Sequence, residues 1–255
     1  MGNVWQDLAH TSKPFLALAP LDGVTDFVFR EIISETAKPD VLFTEFTNVD
    51  ALLSKGYYRT IPRLKFSDKQ RPIVAQLWGT EPNNFYAVGQ LLKELGFDGV
   101  DINMGCPDRT VMKIGSGASL IKNPNLAGEI ITATKDGAFG LPVSVKTRIG
   151  INIVETESWM AYLLKQKLDA LIVHGRTAKE LSKVPAHWDE ITKAVELRNQ
   201  ISPNTIIIGN GDIESRDEAV HAHATYGVDG VMIGRGIFSN PWVFEKEPKT
   251  HTRQE

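Results

Sequence analysis

Residues 99–107 read Gly99-Val100-Asp101-Ile102-Asn103-Met104-Gly105-Cys106-Pro107. The first four have the apolar character of a short buried strand. The run then breaks into Asn, Gly, Cys and Pro, so its polar groups emerge at the strand's C-terminal end. In a barrel of alternating strands and helices, that end carries the chemistry. Cys106 is the single cysteine in 255 residues. A lone cysteine reads by default as a small buried hydrophobe. Gly105 and Pro107 on either side, in a break after a strand, place this one on a rim loop instead.

Working outward, the same kind of short apolar segment recurs eight times, at 15–19, 41–46, 72–77, 99–103, 142–147, 170–174, 205–209 and 230–234. Several are nearly continuous Val, Ile and Leu, as expected for parallel strands buried on both faces. Helical material separates most of them. Thr80 can cap a helix with Pro82 in its first turn, Phe85, Val88, Leu92 and Leu95 at helical spacing, and Gly96 as its stop. Ser215 followed by Glu218 has the form of a capping box before Ala219 and Val220. Eight strands alternating with helices predict an α/β fold, a (β/α)8 TIM barrel in a single domain over 1–244. The charged, turn-rich stretch 245–255 reads as a frayed tail.

Composition narrows the function. The length suits one large domain, and 42% hydrophobic residues supply an ample core. A single cysteine excludes an intramolecular disulfide and a Cys-rich zinc site, and it suits a reducing cytoplasm. No apolar run approaches the roughly 18 residues of a membrane span, and residues 1–10 lack a signal-peptide pattern. A cytoplasmic location with no membrane partner is therefore expected. Carboxylates do not cluster with His at ligand spacing, so no metal is expected. A net charge of -3 gives no global pull toward nucleic acid. An RNA partner would have to be held by a local basic patch or by something outside this chain.

The strand ends share a polar bias. Pro20, Leu21, Asp22 and Gly23 form a turn into a helix capped by Thr25 or Asp26. Thr44-Glu45-Phe46 puts an acid at a buried edge. Gln76 offers an amide donor and acceptor, suited to the edge of a heterocycle. Lys146 and Arg148 alternate onto one face of their strand. Two cations in a barrel mouth call for an anionic or electron-rich partner. His174-Gly175-Arg176 favours anion binding. Gly209-Asn210-Gly211-Asp212 and Ile233-Gly234-Arg235-Gly236 close the last two strands, where such barrels bind phosphate through backbone N–H groups. Together they point to a phosphorylated cofactor.

These residues resemble the tRNA-dihydrouridine synthase family. The resemblance rests on Ala-Pro-Leu-Asp-Gly-Val-Thr-Asp (19–26), Thr-Glu-Phe (44–46), Asp-Ile-Asn-Met-Gly-Cys-Pro (101–107), Val-Lys-Thr-Arg (145–148), His-Gly-Arg-Thr (174–177), Gly-Asn-Gly-Asp-Ile (209–213) and Ile-Gly-Arg-Gly with Asn-Pro-Trp (233–242). It implies an FMN enzyme using NADPH to reduce the C5–C6 double bond of particular uridines in tRNA. By the same resemblance, Pro20, Leu21 and Asp22 lie along the flavin, Gln76 and Lys146 contact its polar ring edge, and His174 lies beside it. Asn210, Gly211, Asp212, Gly234 and Arg235 hold the ribityl phosphate. Asn103 and Arg176 serve the substrate, and Cys106 donates the proton.

The family usually continues past Asn-Pro-Trp into a helical tRNA-binding domain, which this chain is expected to lack. Candidate RNA contacts are then Arg59, Arg63, Lys65, Arg109, Lys113, Lys179 and Lys183, and a monomer is favoured. Two other readings stay open at this point. One is an FMN barrel acting on a free small molecule, in the manner of a dihydroorotate dehydrogenase. The other is a non-catalytic RNA-binding relic.

Overall fold

The structure is a computed structural model and describes residues 2–11, 13–247 and 249–252. The apolar segments form β1 (Phe15–Leu18), β2 (Leu42–Phe43), β3 (Thr47–Asn48), β4 (Ile73–Trp78), β5 (Gly99–Met104), β6 (Val143–Arg148), β7 (Ala170–His174), β8 (Ile206–Asn210) and β9 (Gly230–Ile233). They join in one sheet of order β1-β9-β8-β7-β6-β5-β4-β2, with β3 also on β4 and every ladder parallel. A parallel bridge between Ala17 and Val41 closes the ring. Around it lie α2 (Phe27–Thr36), α3 (Pro82–Glu94), α4 (Pro124–Ala138), α5 (Thr156–Lys165), α6 (Trp188–Ile201) and α7 (Arg216–Tyr226), while α1 (Val4–Thr11) precedes the barrel. The expected single-domain TIM barrel is what forms.

The second strand departs from its reading as one segment. Leu42 and Phe43 pair with Ile73 and Val74, but Thr47 and Asn48 pair with Leu77 and Trp78. The strand thus advances four residues while β4 advances three, the signature of a bulge. Thr44 occupies it: its N–H reaches the Val74 carbonyl at 3.0 Å, and its Oγ1 accepts from the Gln76 N–H at 3.1 Å. The bulge releases Glu45, whose carboxylate accepts from the Gly23 N–H at 2.7 Å.

Caps follow local chemistry. Asp26 accepts from the Phe29 N–H at 2.8 Å and starts α2. Ser215 accepts from the Glu218 N–H at 3.1 Å and starts α7, while the Glu218 carboxylate reaches back to the Glu214 N–H at 2.7 Å. Helices α3, α5 and α6 start without a side-chain cap, and in α3 the cap position is Glu81 rather than the expected Thr80. Pro82 at its start removes one N–H that would otherwise need a partner.

The barrel is plugged at its N-terminal end. Trp5 of α1 is fully buried between Phe15 and Phe43, with ring centroids 6.4 and 6.0 Å away. Val4, Leu8 and Ala9 join it against Val74, Ala170, Ile206 and Ile208. Burying a side chain of this size contributes several kcal/mol, about 3–5 by the cost of truncating it. The expected fraying of 245–255 falls partly on residues outside those described. In the described part, His251 stacks on Trp242 at 4.1 Å and meets the Glu245 carboxylate at 2.9 Å. No helix among the described residues is long and apolar enough to cross a membrane.

Candidate active site

Alternation along each strand turns every second side chain inward. The last inward positions before the C-terminal rim are Gln76 on β4, Asn103 on β5, Lys146 and Arg148 on β6, His174 on β7 and Asn210 on β8. They surround a cavity of about 540 Å³, within the usual range for a ligand site. Pro20, Leu21, Asp22, Cys106, Arg176, Gly211, Asp212, Gly234 and Arg235 complete its walls. The structure therefore brings all the residues singled out for the site into one place.

Their individual chemistry differs. Cys106 is half-buried, and burial is the main influence holding its thiol above the ordinary range, so it is protonated at neutral pH. Asn103 fixes its loop: the Asn103 Oδ1 accepts from the N–H groups of Gly105 at 3.1 Å and Cys106 at 2.9 Å. Lys146 donates to Asn210 Oδ1 at 2.9 Å, and Asn210 Nδ2 donates to the Met232 carbonyl at 2.8 Å. Burial first, then the nearby Arg148, lower the Lys146 ammonium to about 8. His174 is held neutral, far below its usual range, by burial and then by Lys146, Arg148, Arg176 and Arg235. With Arg176 donating to His174 Nε2 at 3.3 Å, the ring proton is assigned to Nδ1.

Three residues do something other than their simplest reading. Arg176 is 2% exposed. Its guanidinium donates to the Val184 carbonyl at 2.6 Å, to the Asp212 carboxylate and to His174. It clamps the 177–184 loop and is not a free cation awaiting a substrate. Asp212 likewise spends Oδ2 on Arg176 and the Ala186 N–H at 2.8 Å, while its Oδ1 faces the Arg235 guanidinium at 3.6 Å, so what it offers a ligand is backbone. Asp22 pairs with Arg63 at 2.5 Å, and the same guanidinium nitrogen reaches Glu45 at 3.3 Å.

That pairing also occupies one candidate RNA contact, and Lys65 lies over the Phe27 ring at 4.2 Å. Arg59, Arg109 and Lys113 are exposed on short helices, and Lys179 and Lys183 on a loop, in the connections that follow the C-terminal ends of strands. Arg148 was legible as a charge but not in its role. It donates to the carbonyls of Gly105 at 2.8 Å, Thr177 at 3.0 Å and Leu181 at 3.1 Å, joining the Cys106 loop to the loop after β7.

The far wall suits a phosphate. Among the described residues, the backbone N–H groups of Gly211, Asp212 and Arg235 have no acceptor, and the Arg235 side chain is 63% exposed beside them. Gly211 adopts φ +140, a conformation that L side chains rarely take. The described residues hold no cluster of His, Cys, Asp and Glu able to bind a metal.

Comparison with known proteins agrees with this geometry. Solved structures share the fold at low identity. Morphinone reductase superposes with a TM-score of 0.61 at 14% identity, covering 95% of this chain and 89% of that one. An old yellow enzyme homologue from Zymomonas mobilis gives 0.60 at 14% identity, covering 89% and 86%. A probable tRNA-dihydrouridine synthase of Staphylococcus aureus (strain COL) is 48% identical over 99% of this chain and 76% of its own length. A probable tRNA-dihydrouridine synthase 2 of Bacillus subtilis (strain 168) is 48% identical over 99% and 77%. The dihydrouridine synthase family matches residues 17–255, and this chain belongs to that family.

Proposed function

We propose that this chain reduces the C5–C6 double bond of uridines in tRNA to 5,6-dihydrouridine, with flavin mononucleotide as cofactor and NADPH as reductant. The observation that carries the reading is the placement of Cys106 at the rim of a cavity floored by Gln76, Asn103 and Lys146. The residues present fit the cofactor. Unpartnered N–H groups at Gly211, Asp212 and Arg235, with the Arg235 guanidinium, would hold its phosphate. Pro20, Leu21 and Met232 give an apolar flank, and Gln76 and Lys146 give polar contacts for the ring edge. His174 adds a neutral imidazole. When bound, the flavin supplies a hydride equivalent for uracil C6, renewed from NADPH.

The protein's own work is orientation and proton supply. Hydride addition at C6 leaves electron density that must be quenched by a proton at C5. The Cys106 thiol is protonated at neutral pH and serves as the general acid. The Asp108 backbone N–H and the Arg148 charge favour the resulting thiolate, against burial and the Asp108 and Asp22 carboxylates, and the half-exposed site lets solvent reprotonate it. Asn103 positions the uracil beside the thiol. A uridine inside folded tRNA has to leave its stack to reach this depth. Exposed cations on three connections after strand ends suit an RNA backbone and would be superfluous for a free pyrimidine.

The test is dihydrouridine formation in unmodified tRNA by wild type and Cys106→Ala under NADPH. The variant should bind flavin and oxidise NADPH while losing most product. Equal yields from the two proteins would remove Cys106 as proton donor.

A further inference from the structure

A buried hydrogen-bonded chain runs across the sheet under the cavity and then turns up toward Cys106. Strand register sets Gln76, Asp101 and Ser144 side by side on β4, β5 and β6, and all three are fully buried. The Asp101 carboxylate accepts from Ser144 Oγ at 2.6 Å and from Gln76 Nε2 at 2.7 Å. Gln76 Oε1 accepts from Asn103 Nδ2 at 2.9 Å. Asn103 Oδ1 then takes the two backbone N–H groups of Gly105 and Cys106.

The two ends of this chain have fixed polarity. A backbone N–H only donates, and an ionised carboxylate only accepts. The two amides between them are therefore satisfied in one orientation alone. Turning either one over sets N–H against N–H or C=O against C=O, in a buried place where a lost hydrogen bond is costly. Each amide keeps one N–H uncommitted, and both residues line the cavity, whereas Asp101 does not. Asp101 can act on a ligand only through them.

We propose that Asp101 is a positioning residue that locks the donor–acceptor direction of the Gln76–Asn103 pair. Through Asn103 it holds the Cys106 loop, and through both amides it presents N–H groups to a heterocycle edge carrying carbonyl oxygens. This deepens the proposed function by naming what orders the same site. Burial raises the Asp101 carboxyl to about 6, opposed by the Ser144 and Gln76 hydrogen bonds and by the Lys146 charge. It is thus ionised, and an acceptor only, at neutral pH.

Direction can be separated from charge and from volume by four variants, one of them the Ser144→Ala control. In Asp101→Asn the amide can turn its oxygen to Gln76 and its NH2 to Ser144 Oγ, which can in turn donate to the Val100 carbonyl at 3.5 Å. Direction is kept while charge is lost. In Asp101→Asn with Ser144→Ala the new amide is no longer pinned, and in Asp101→Leu the acceptor is gone. The readout is the rate of Cys106 alkylation by iodoacetamide at fixed pH, normalised to folded protein by circular dichroism. Cys106 is the sole thiol, so this needs no flavin, NADPH or tRNA. It stands even if wild type forms no dihydrouridine, the result that would instead overturn the proposed function.

Asp101→Asn and Ser144→Ala should each stay within about twofold of wild type. The double variant and Asp101→Leu should react at least about fivefold faster, a non-additivity expected of groups in one hydrogen-bond network. If Asp101→Leu does not fold, the double variant decides. Asp101→Asn reacting as fast as Asp101→Leu would mean that charge, not direction, is what matters. A double variant equal to the product of its singles would also overturn the proposal.

Discussion

The two ends of this barrel are built from the same strands and could hardly differ more. At the N-terminal end the inward positions are Phe15, Phe43, Val74, Ala170 and Ile206, closed over by Trp5. At the C-terminal end the same strands turn inward Gln76, Asn103, Lys146, His174 and Asn210. One alternating pattern thus delivers a dry plug at one end and a charged cavity at the other. Asp101 and Ser144 mark the boundary, the depth at which polar groups begin and must satisfy one another. Stability is concentrated below that level and chemistry above it. Substitutions at the two ends should therefore separate cleanly.

The largest separation should come from Cys106→Ala. Loss of a general acid should lower dihydrouridine formation by about 10²–10⁴-fold, with the unfolding free energy within about 0.5 kcal/mol of wild type. A large fall in stability would mean that the rim also carries the fold. At the opposite end, Trp5→Ala should lower unfolding free energy by about 3–5 kcal/mol in urea. Turnover per folded molecule should be unchanged, and a loss of turnover would show that the plug reaches into the site.

Lys146→Met inverts the comparison. The Lys146 ammonium has one hydrogen-bond partner among the described residues, Asn210, and is held at about 8. Replacing it should stabilise the protein without added ligand by about 1–2 kcal/mol, as expected on relieving a costly buried charge, while impairing reduction. The sign also shows in pH. Between about 8 and the ordinary lysine value the unfolded chain binds more protons, so wild-type stability should rise with pH there. In Lys146→Met that contribution should be missing from a titrated melting series. The smallest effect should come from Lys179→Ala with Lys183→Ala. It should raise the KM for tRNA and flatten its salt dependence by about 1–2 in log–log slope, leaving kcat intact. An unchanged slope would place the RNA path elsewhere.

Much of this was legible in the sequence because strand ends advertise themselves. Val/Ile runs stop at Gly, Pro, Asn or Asp, and each stop here supplies a site residue. What the sequence hid was lateral. The bulge at Thr44 depends on a side chain replacing a ladder hydrogen bond, which hydropathy does not register. Asp101 read only as part of a buried strand with no role of its own, because its partners lie 25 and 43 positions away in the chain and only register unites them. Arg176 and Arg148 were visible as charges. That Arg148 is taken up by loop carbonyls, and Arg176 by the Val184 carbonyl, the Asp212 carboxylate and the His174 ring, needed the loop after β7 in place.

The most direct test of the central claim is anaerobic. The bound flavin is reduced with NADPH, unmodified tRNA is added, and the visible spectrum is followed. We expect rapid flavin reoxidation that depends on tRNA and yields dihydrouridine in proportion. A flavin that binds yet stays reduced when tRNA is added would contradict the assignment of tRNA uridine as its acceptor, and a protein that binds no flavin would contradict the reading of the cavity itself.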